Sequence, residues 1–397
     1  RTERRLPEGP PMSAATTPTT AVHWDEPLGA FRVTGYAEAA DVLRGPGWSS
    51  DPRRSPLVAP DIQDMPTGNL LFTDPPEHTR LRRLLSPAFT PRSIQDLRPR
   101  VAAIVDAVLD GLPGGGYGEA AGEIDILADL AYPATLAVIA ELLDVGIEGA
   151  QVFADQTPNL IRMLEINATS DDLMAGAVAS AEVTMFLTPI LAERRQRPGN
   201  DFISALLALY DDSTDGRADG LTLPEVLATC VLILTAGHET TANLIANSTL
   251  ALLTQPDQLP HLFADPGRAT EELLRLHGAA KLIARTALTD HQIGGQHIAT
   301  GQAVLIDIQQ ANRDPRHRPD PDRLDCSRTP TGHLAFGAGP HFCLGAALAR
   351  LETAEALTRL FRRHPDLAPV SDTVHWRQST AFHGLNELLV RVGPAGT

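Results

Sequence analysis

The residue best placed to do chemistry is Cys343. It lies in Phe336-Gly337-Ala338-Gly339-Pro340-His341-Phe342-Cys343-Leu344-Gly345, where the glycines permit tight turns and close backbone approach. Directly behind it Leu344, Ala347, Leu348, Leu351, Ala354 and Leu357 recur at helical spacing, so the cysteine precedes a helix N-terminus. The partial positive charge and free N–H groups there stabilise a thiolate, the form of cysteine that attacks carbon or binds metal. A lone cysteine is otherwise most often a small buried hydrophobe. The other two, Cys230 and Cys326, are too scattered for a disulfide framework or a zinc site.

Three more segments combine chemistry with spacing. Ala236-Gly237-His238-Glu239-Thr240-Thr241 sits inside an apolar helix, where a glycine costs about 1 kcal/mol relative to alanine and a buried glutamate costs more unless paired. A helix kink with a satisfied polar pair is the plain alternative. Glu272 and Arg275, three apart, share one helix face, as many surface ion pairs do. In Asp74-Pro75-Pro76-Glu77-His78-Thr79-Arg80-Leu81-Arg82-Arg83, His78 and Arg82 lie four apart on one face. Arg80 and Arg83 read as a solvated basic run.

Taken together, these segments resemble the cytochrome P450 family. Its haem loop reads F-G-x-G-x-H-x-C-x-G, its distal helix [AG]-G-x-[DE]-T-[TS], and two further elements E-x-x-R and D-P-P-x-H-x-x-x-R. The segments follow the family's order from Asp74 to Gly345, and likeness continues through Gly384-Leu385. Against the full haem loop, the small-hydrophobe reading of Cys343 fails. The resemblance implies haem b (iron protoporphyrin IX) with Cys343 as the metal ligand, in a loop framed by Phe336, Gly337 and Gly345. A thiolate ligand pushes electron density onto haem iron and favours O–O cleavage. His78, Arg82, Arg285 and His341 are implied as partners of the two propionates, which need cationic donors when buried. Ala236 and Gly237 would form a groove for O2, and Glu239 with Thr240 an acid–alcohol pair passing protons through ordered water. A structural network of Glu272, Arg275 and Arg323 is implied as well, with Leu324 standing where the family has Phe. Pocket walls by resemblance are Leu70, Ile233, Ala236, Leu282, Ile283 and Phe382. Lys281, the one lysine among 33 basic residues, joins them if strand alternation turns it to the side of Arg285. An inward ammonium without a partner would require a polar or anionic group on the substrate.

The activity implied is a haem-thiolate monooxygenase that inserts one oxygen atom from O2 into an apolar small molecule, by hydroxylation or epoxidation. Electrons would come from NAD(P)H through a ferredoxin reductase and a ferredoxin. The stretch Gly237 to Asn247 most resembles actinomycete members that tailor polyketides, macrolides and other secondary metabolites, as in antibiotic biosynthesis. Two competing classes are a peroxygenase using H2O2 and a haem-binding sensor without catalysis. Glu239 and Thr240 speak against the first, and retention of every catalytic segment against the second. An acidic ferredoxin is expected on the cysteine-ligand face, steered by Arg80, Arg83, Arg350, Arg359, Arg362 and Arg363. A monomer is expected.

These residues require a mainly α scaffold with a small β region, which the resemblance makes the family's triangular prism. Thr222 and Glu225 form a capping box with Pro224 in the first turn, starting a helix that runs to about Thr254, before Pro256. The stretch Val231 to Leu234 is apolar on every face and should cross the core. His291-Gln-Ile293, Gly294-Gly295 and Gln296-His-Ile298 read as a hairpin, and Ala303 to Ile308 as a further strand. Phe31 to Thr34 gives a short strand, followed by a helix from Tyr36 to Leu43. Residues 1–22 read as a flexible leader and 23–397 as a single catalytic domain, with loop breaks at Pro113 to Gly116, Pro198-Gly199 and Asp211 to Gly220. A net charge of −16 argues against nucleic acid. No run approaches the length needed to span a bilayer, and the start lacks the pattern of a signal peptide. The cytoplasm is the expected location.

Overall fold

The computed structural model describes residues 20–58, 69–113, 122–210 and 220–393. Most of the expected leader and the loop breaks at 114–116 and 211–219 lie outside the described residues. The leader's boundary is corrected, since Val22 opens a strand and is fully buried.

The helix Leu223–Thr254 organises the molecule. Its capping box forms both ways: Thr222 Oγ1 accepts from Glu225 N while the Glu225 carboxylate accepts from Thr222 N. Its N-terminal half enters one apolar core through Val226, Val231 and Leu234. Its C-terminal half enters another through Ala242, Ile245 and Leu250. The helices Tyr132–Leu143 and Ala346–Arg363 pack on its two sides. Asn247 pins it further, donating from Nδ2 to the carbonyls of His277 (3.2 Å) and His383 (3.0 Å).

A five-stranded sheet flanks the helices, in the order Val22–Asp25, Ala30–Val33, Ala303–Asp307, Leu282–Ala287, Trp48–Ser49. Ala30–Val33 runs parallel to Ala303–Asp307 and the other pairings are antiparallel. Ala303–Asp307 is buried at every position, as expected for a strand covered on both faces. It fixes the register of its neighbour, setting Arg285 opposite Val304 and Ile283 opposite Ile306. The expected hairpin is present, with Gly294 and Gly295 both at positive φ (55° and 81°), the conformation a tight primed turn requires. A third sheet joins Gly122–Asp125 to Leu389–Val392 and Ala368–Pro369, a long-range pairing with no local signature.

One sequence expectation fails. Ile126–Leu143 and Ser170–Gln196 are long and apolar enough, by composition, to cross a membrane. The first is mostly buried within the protein, which accounts for its hydropathy as that of a core helix.

Candidate active site

The cysteine loop is folded tightly on itself. Cys343 N donates to Phe336 O at 2.9 Å, Phe342 N to Gly339 O at 3.1 Å, and the helix Ala346–Arg363 starts after Gly345. Gly337 and Gly339 adopt φ of 68° and 70°. At Gly339 a side chain is excluded outright, because a Cβ would come within 2.4 Å of Leu43 O. Burial pushes the Cys343 thiol above its ordinary pKa, while the Gly345 N–H, Arg82 and Arg350 pull the other way. Coordination to a metal cation would favour its thiolate form.

Beside the loop the chain gathers His78, Arg82, Arg285 and His341, with the Asp74 carboxylate near His78 and Arg285 but, among the described residues, no carboxylate hydrogen-bonded to any of the four. His78 is buried on the helix Glu77–Leu85, and neither ring nitrogen has a hydrogen-bond partner among the described residues. The ring of His341 lies 3.9 Å from it, centroid to centroid. Burial, then Arg285, His78 and Arg82, hold His341 down to about 3. Burial also lowers Arg285 to about 10 and shifts Arg82 down. The one hydrogen bond Arg285 makes among the described residues goes to the carbonyl of Ala284 (2.8 Å). Polar groups desolvated in this way are costly unless an anion joins them. A group with two carboxylates and a metal that accepts sulfur fits both halves of the site, so the residues present fit haem.

On the long helix, Thr240 Oγ1 donates back to Ala236 O at 2.7 Å. Glu239 is buried, and its Oε1 accepts from Arg377 Nη1, from Asn243 Nδ2 (2.9 Å) and from Tyr132 OH (3.4 Å). Arg377 Nη2 donates to Tyr132 OH at 2.8 Å. Burial and the Glu239 carboxylate raise the Tyr132 phenol to about 12. Glu239 and Thr240 make no hydrogen bond to each other among the described residues. Gly237 faces the helix Tyr132–Leu143, where an added Cβ would stand 2.9 Å from Ile139 Cδ1, which gives the glycine a packing role.

The remaining residues fall as follows. Leu70 and Leu282 are buried, while Ile233, Ala236, Ile283 and Phe382 are half-buried. Lys281 donates from Nζ to Ser379 O at 2.8 Å, so its ammonium has a partner within the chain and its position does not demand an anionic substrate. Glu272 and Arg275 form the expected buried pair, with two hydrogen bonds of 2.8 Å. The third arginine is corrected: Arg328 Nε reaches Glu272 Oε1 (3.2 Å), whereas Arg323 is exposed and offers only its carbonyl. Leu324 and Cys326 are buried, and the turn closed by Arg328 N to Asp325 O carries the Arg328 side chain to Glu272.

The arginines expected to steer a ferredoxin mostly have carboxylate partners within the chain. Arg80 is paired with Glu77 and Glu225, Arg350 with Glu271, Arg359 with Asp106 and Glu355, and Arg363 with Asp106 and Asp110. Arg362 stacks over Phe263. Sequence reasoning missed Arg377, Tyr132, Asn243 and Arg328. Only Asn243, four residues after Glu239, left a local signal.

Comparison with known proteins supplies the last observation. The family Cytochrome P450 matches residues 23–263 and 268–373. Cytochrome P450 107B1 of Saccharopolyspora erythraea is 40% identical over 352 residues, covering 87% of this chain and 81% of that protein. The 6-deoxyerythronolide B hydroxylase of the same organism is 37% identical over 395 residues, covering 95% and 93%. Among solved structures, P450BioI in complex with an acyl carrier protein bearing hexadec-9Z-enoic acid superposes with a TM-score of 0.84 at 33% identity, covering 94% of this chain and 95% of that one.

Proposed function

The chain belongs to the cytochrome P450 family, and from that premise we propose that Cys343 would supply the sulfur ligand of a haem whose carboxylates would be held by His78, Arg82, Arg285 and His341. The protein is a haem-thiolate monooxygenase of the bacterial type served by ferredoxin and ferredoxin reductase. The observation that carries the site assignment is the cluster of His78, His341, Arg82 and Arg285 beside Cys343, in which buried His78 has no hydrogen-bond partner on either ring nitrogen and no carboxylate bonds any of the four among the described residues.

A haem held there would supply the activation of O2 and the transfer of one oxygen atom to substrate. The protein's part is to hold the group, exclude water and move protons. The Phe336 carbonyl anchors the Cys343 backbone N–H and so fixes the sulfur. Thr240, bonded to the Ala236 carbonyl, presents its hydroxyl oxygen as an acceptor at the middle of the long helix. Glu239 holds a carboxylate one residue away, and its partner Arg377 is 31% exposed, which links the buried acid to solvent. Arg377 stays protonated and the Tyr132 phenol is held at about 12, so these two orient Glu239 and do not pass protons themselves. Glu239 is the group that would carry a proton toward Thr240, through water, since the two make no direct hydrogen bond among the described residues.

The substrate class we assign is a polyketide or macrolide lactone of secondary metabolism. Similarity to the 6-deoxyerythronolide B hydroxylase, the apolar pocket residues and the internally paired Lys281 support it. A carrier-protein-tethered acyl chain is the second reading, favoured by the likeness to P450BioI. The electron donor is a ferredoxin docking on the Cys343 face as a monomer-to-monomer encounter. With most of its arginines already paired, this face has little net charge for steering an acidic partner.

The test compares product formation by haem-loaded enzyme driven by NADH, ferredoxin and reductase with that driven by H2O2, on a panel of macrolactones and acyl-carrier thioesters. NADH-driven oxidation of a macrolactone is expected. Efficient H2O2-driven turnover with none from NADH would contradict the monooxygenase reading.

A further inference from the structure

Away from the cysteine loop, a second arginine is buried without a carboxylate to answer it. Arg318 is only 5% exposed. Among the described residues its side chain makes one hydrogen bond, from Nη2 to the carbonyl of Gly332 (2.8 Å), and no ion pair, while its Nε–H has no acceptor. Burial, then Arg275, weighs against its charge; Arg328 adds to this, and Glu272 offsets only part of it. A guanidinium does not escape such a position by losing its proton. A buried one is therefore costly until an anion faces it.

Arg318 lines a small cavity with Glu271, Glu272, Arg275, Arg328 and His333, beneath the exposed 330–332 segment. Neither glutamate is available to it. Glu272 is held by Arg275, Arg328 and the Asp325 N–H, and Glu271 by Nε and Nη2 of Arg350 (2.5 and 3.1 Å). The next carboxylates are engaged as well, Asp325 with Ser327 and Asp314 with Arg316. Arg275 and Arg328 spend their other nitrogens on backbone carbonyls. The spare donors and the spare positive charge at this cavity therefore belong to Arg318. Its free volume is about 10 Å³, close to the least that holds a single water. Phosphate, sulfate or an organic acid is too large. A water would satisfy the Nε–H but leave the charge unanswered, whereas a monatomic anion does both.

We propose that this cavity is a chloride site, with the Arg318 guanidinium as its ligand and the 330–332 segment as its wall toward solvent. The site stands between the Glu272–Arg275 pair and the residues that lead into the cysteine loop. His333 lines it, and the next residue, Leu334, is tied by its N–H to Asn312 Oδ1 (2.6 Å). A bound ion holds this approach to Cys343 in place.

The experiment exchanges sodium chloride for sodium gluconate, an anion too bulky to enter, at constant ionic strength around the haem-loaded full chain. The linewidth of the chloride NMR signal reads binding directly. Wild type is expected to broaden it saturably, Arg318→Met to lose most of that broadening, and Arg323→Met, at an exposed arginine of the same segment, to keep it. Equal broadening by wild type and Arg318→Met overturns the site. Thermal melts give a second readout. Chloride at ten times its dissociation constant should raise the wild-type folded-to-unfolded ratio about tenfold. Arg318→Met should melt alike in both salts, and no lower in gluconate than the wild type, because the unanswered charge leaves with the side chain. A variant that melts lower in both salts yet still responds to chloride would show a packing role alone and overturn the proposal. Wild-type crystals soaked in bromide need no variant: an anomalous peak beside Arg318 Nε is expected, and water there without anomalous signal overturns the site. None of these readouts involves the haem, so the site stands or falls apart from the Cys343 assignment.

Discussion

Two buried glutamates in this molecule sit in superficially similar ion pairs, and they are built for opposite purposes. Glu272 is gripped through both oxygens by Arg275, three residues on in its own helix, and closed off by Arg328 and the Asp325 N–H. Arg275 spends its other donors on the carbonyls of Asn312, Pro321 and Arg323. Nothing in that network is spare. Glu239 takes its partners on Oε1 alone, and among the described residues no hydrogen bond reaches Oε2. Its cation, Arg377, comes from 138 residues away and is partly in water. A carboxylate saturated on every side fixes a shape, whereas one with a free oxygen and a wet partner can pass a proton.

The largest expected effect of breaking this contrast is at Glu272. Removing one partner of a buried pair costs about 3–5 kcal/mol, so Glu272→Ala should lose haem and soluble yield, measured by haem content per protein. Full haem content would show that the network does not carry the fold. The same network separates two arginines. Arg328→Ala should destabilise by about 1.5–3 kcal/mol, the range for hydrogen bonds to a charged group, and Arg323→Ala by less than about 0.5. Thermal melts of the two variants decide it, and the reverse ranking would restore Arg323 as the partner.

At Glu239 the expected change is chemical. Glu239→Gln and Thr240→Ala should fold and bind substrate normally but lower product formed per NADH while NADH consumption persists. Unchanged coupling in both would reduce the pair to helix packing. A smaller effect concerns His238, bonded through Nδ1 to Thr135 Oγ1 (2.8 Å) and held down to about 4 by burial. The unfolded chain takes up this proton first as pH falls, so stability is complete above about pH 6.5 and is lost between there and about pH 4, by up to about 1.4 kcal/mol per pH unit. The buried His383, at about 4, and His277, at about 3, act in the same direction. Denaturant titrations at pH 7 and pH 5 should show the loss, and His238→Gln should shrink it.

The same contrast explains what could be read from the residues alone. The cysteine loop, the capping box of the long helix, the Gly-Gly hairpin and the Glu272–Arg275 pair are local patterns, set by turns and helical spacing over a few residues. Arg377 and Tyr132 reach Glu239 across 138 and 107 positions, and Glu165 meets Ser379 across 214. No spacing rule links such residues, since tertiary packing alone brings them together. The motif points to Arg323 by its place in the chain, while tertiary packing brings the Arg328 guanidinium to Glu272 and leaves Arg323 exposed. The sequence does not show the pairing of the arginines on this face, because their carboxylates, Asp106, Asp110 and Glu271 among them, lie elsewhere in the chain.

Monooxygenation would depend most directly on the sulfur of Cys343. The decisive measurement is the ferrous–CO spectrum of the wild type beside Cys343→Ala, each reconstituted with haem. The wild type should give the red-shifted Soret band of a thiolate ligand, and the variant should lose that band together with NADH-driven oxidation. A variant that keeps the red-shifted band would contradict the assignment of Cys343 as the ligand.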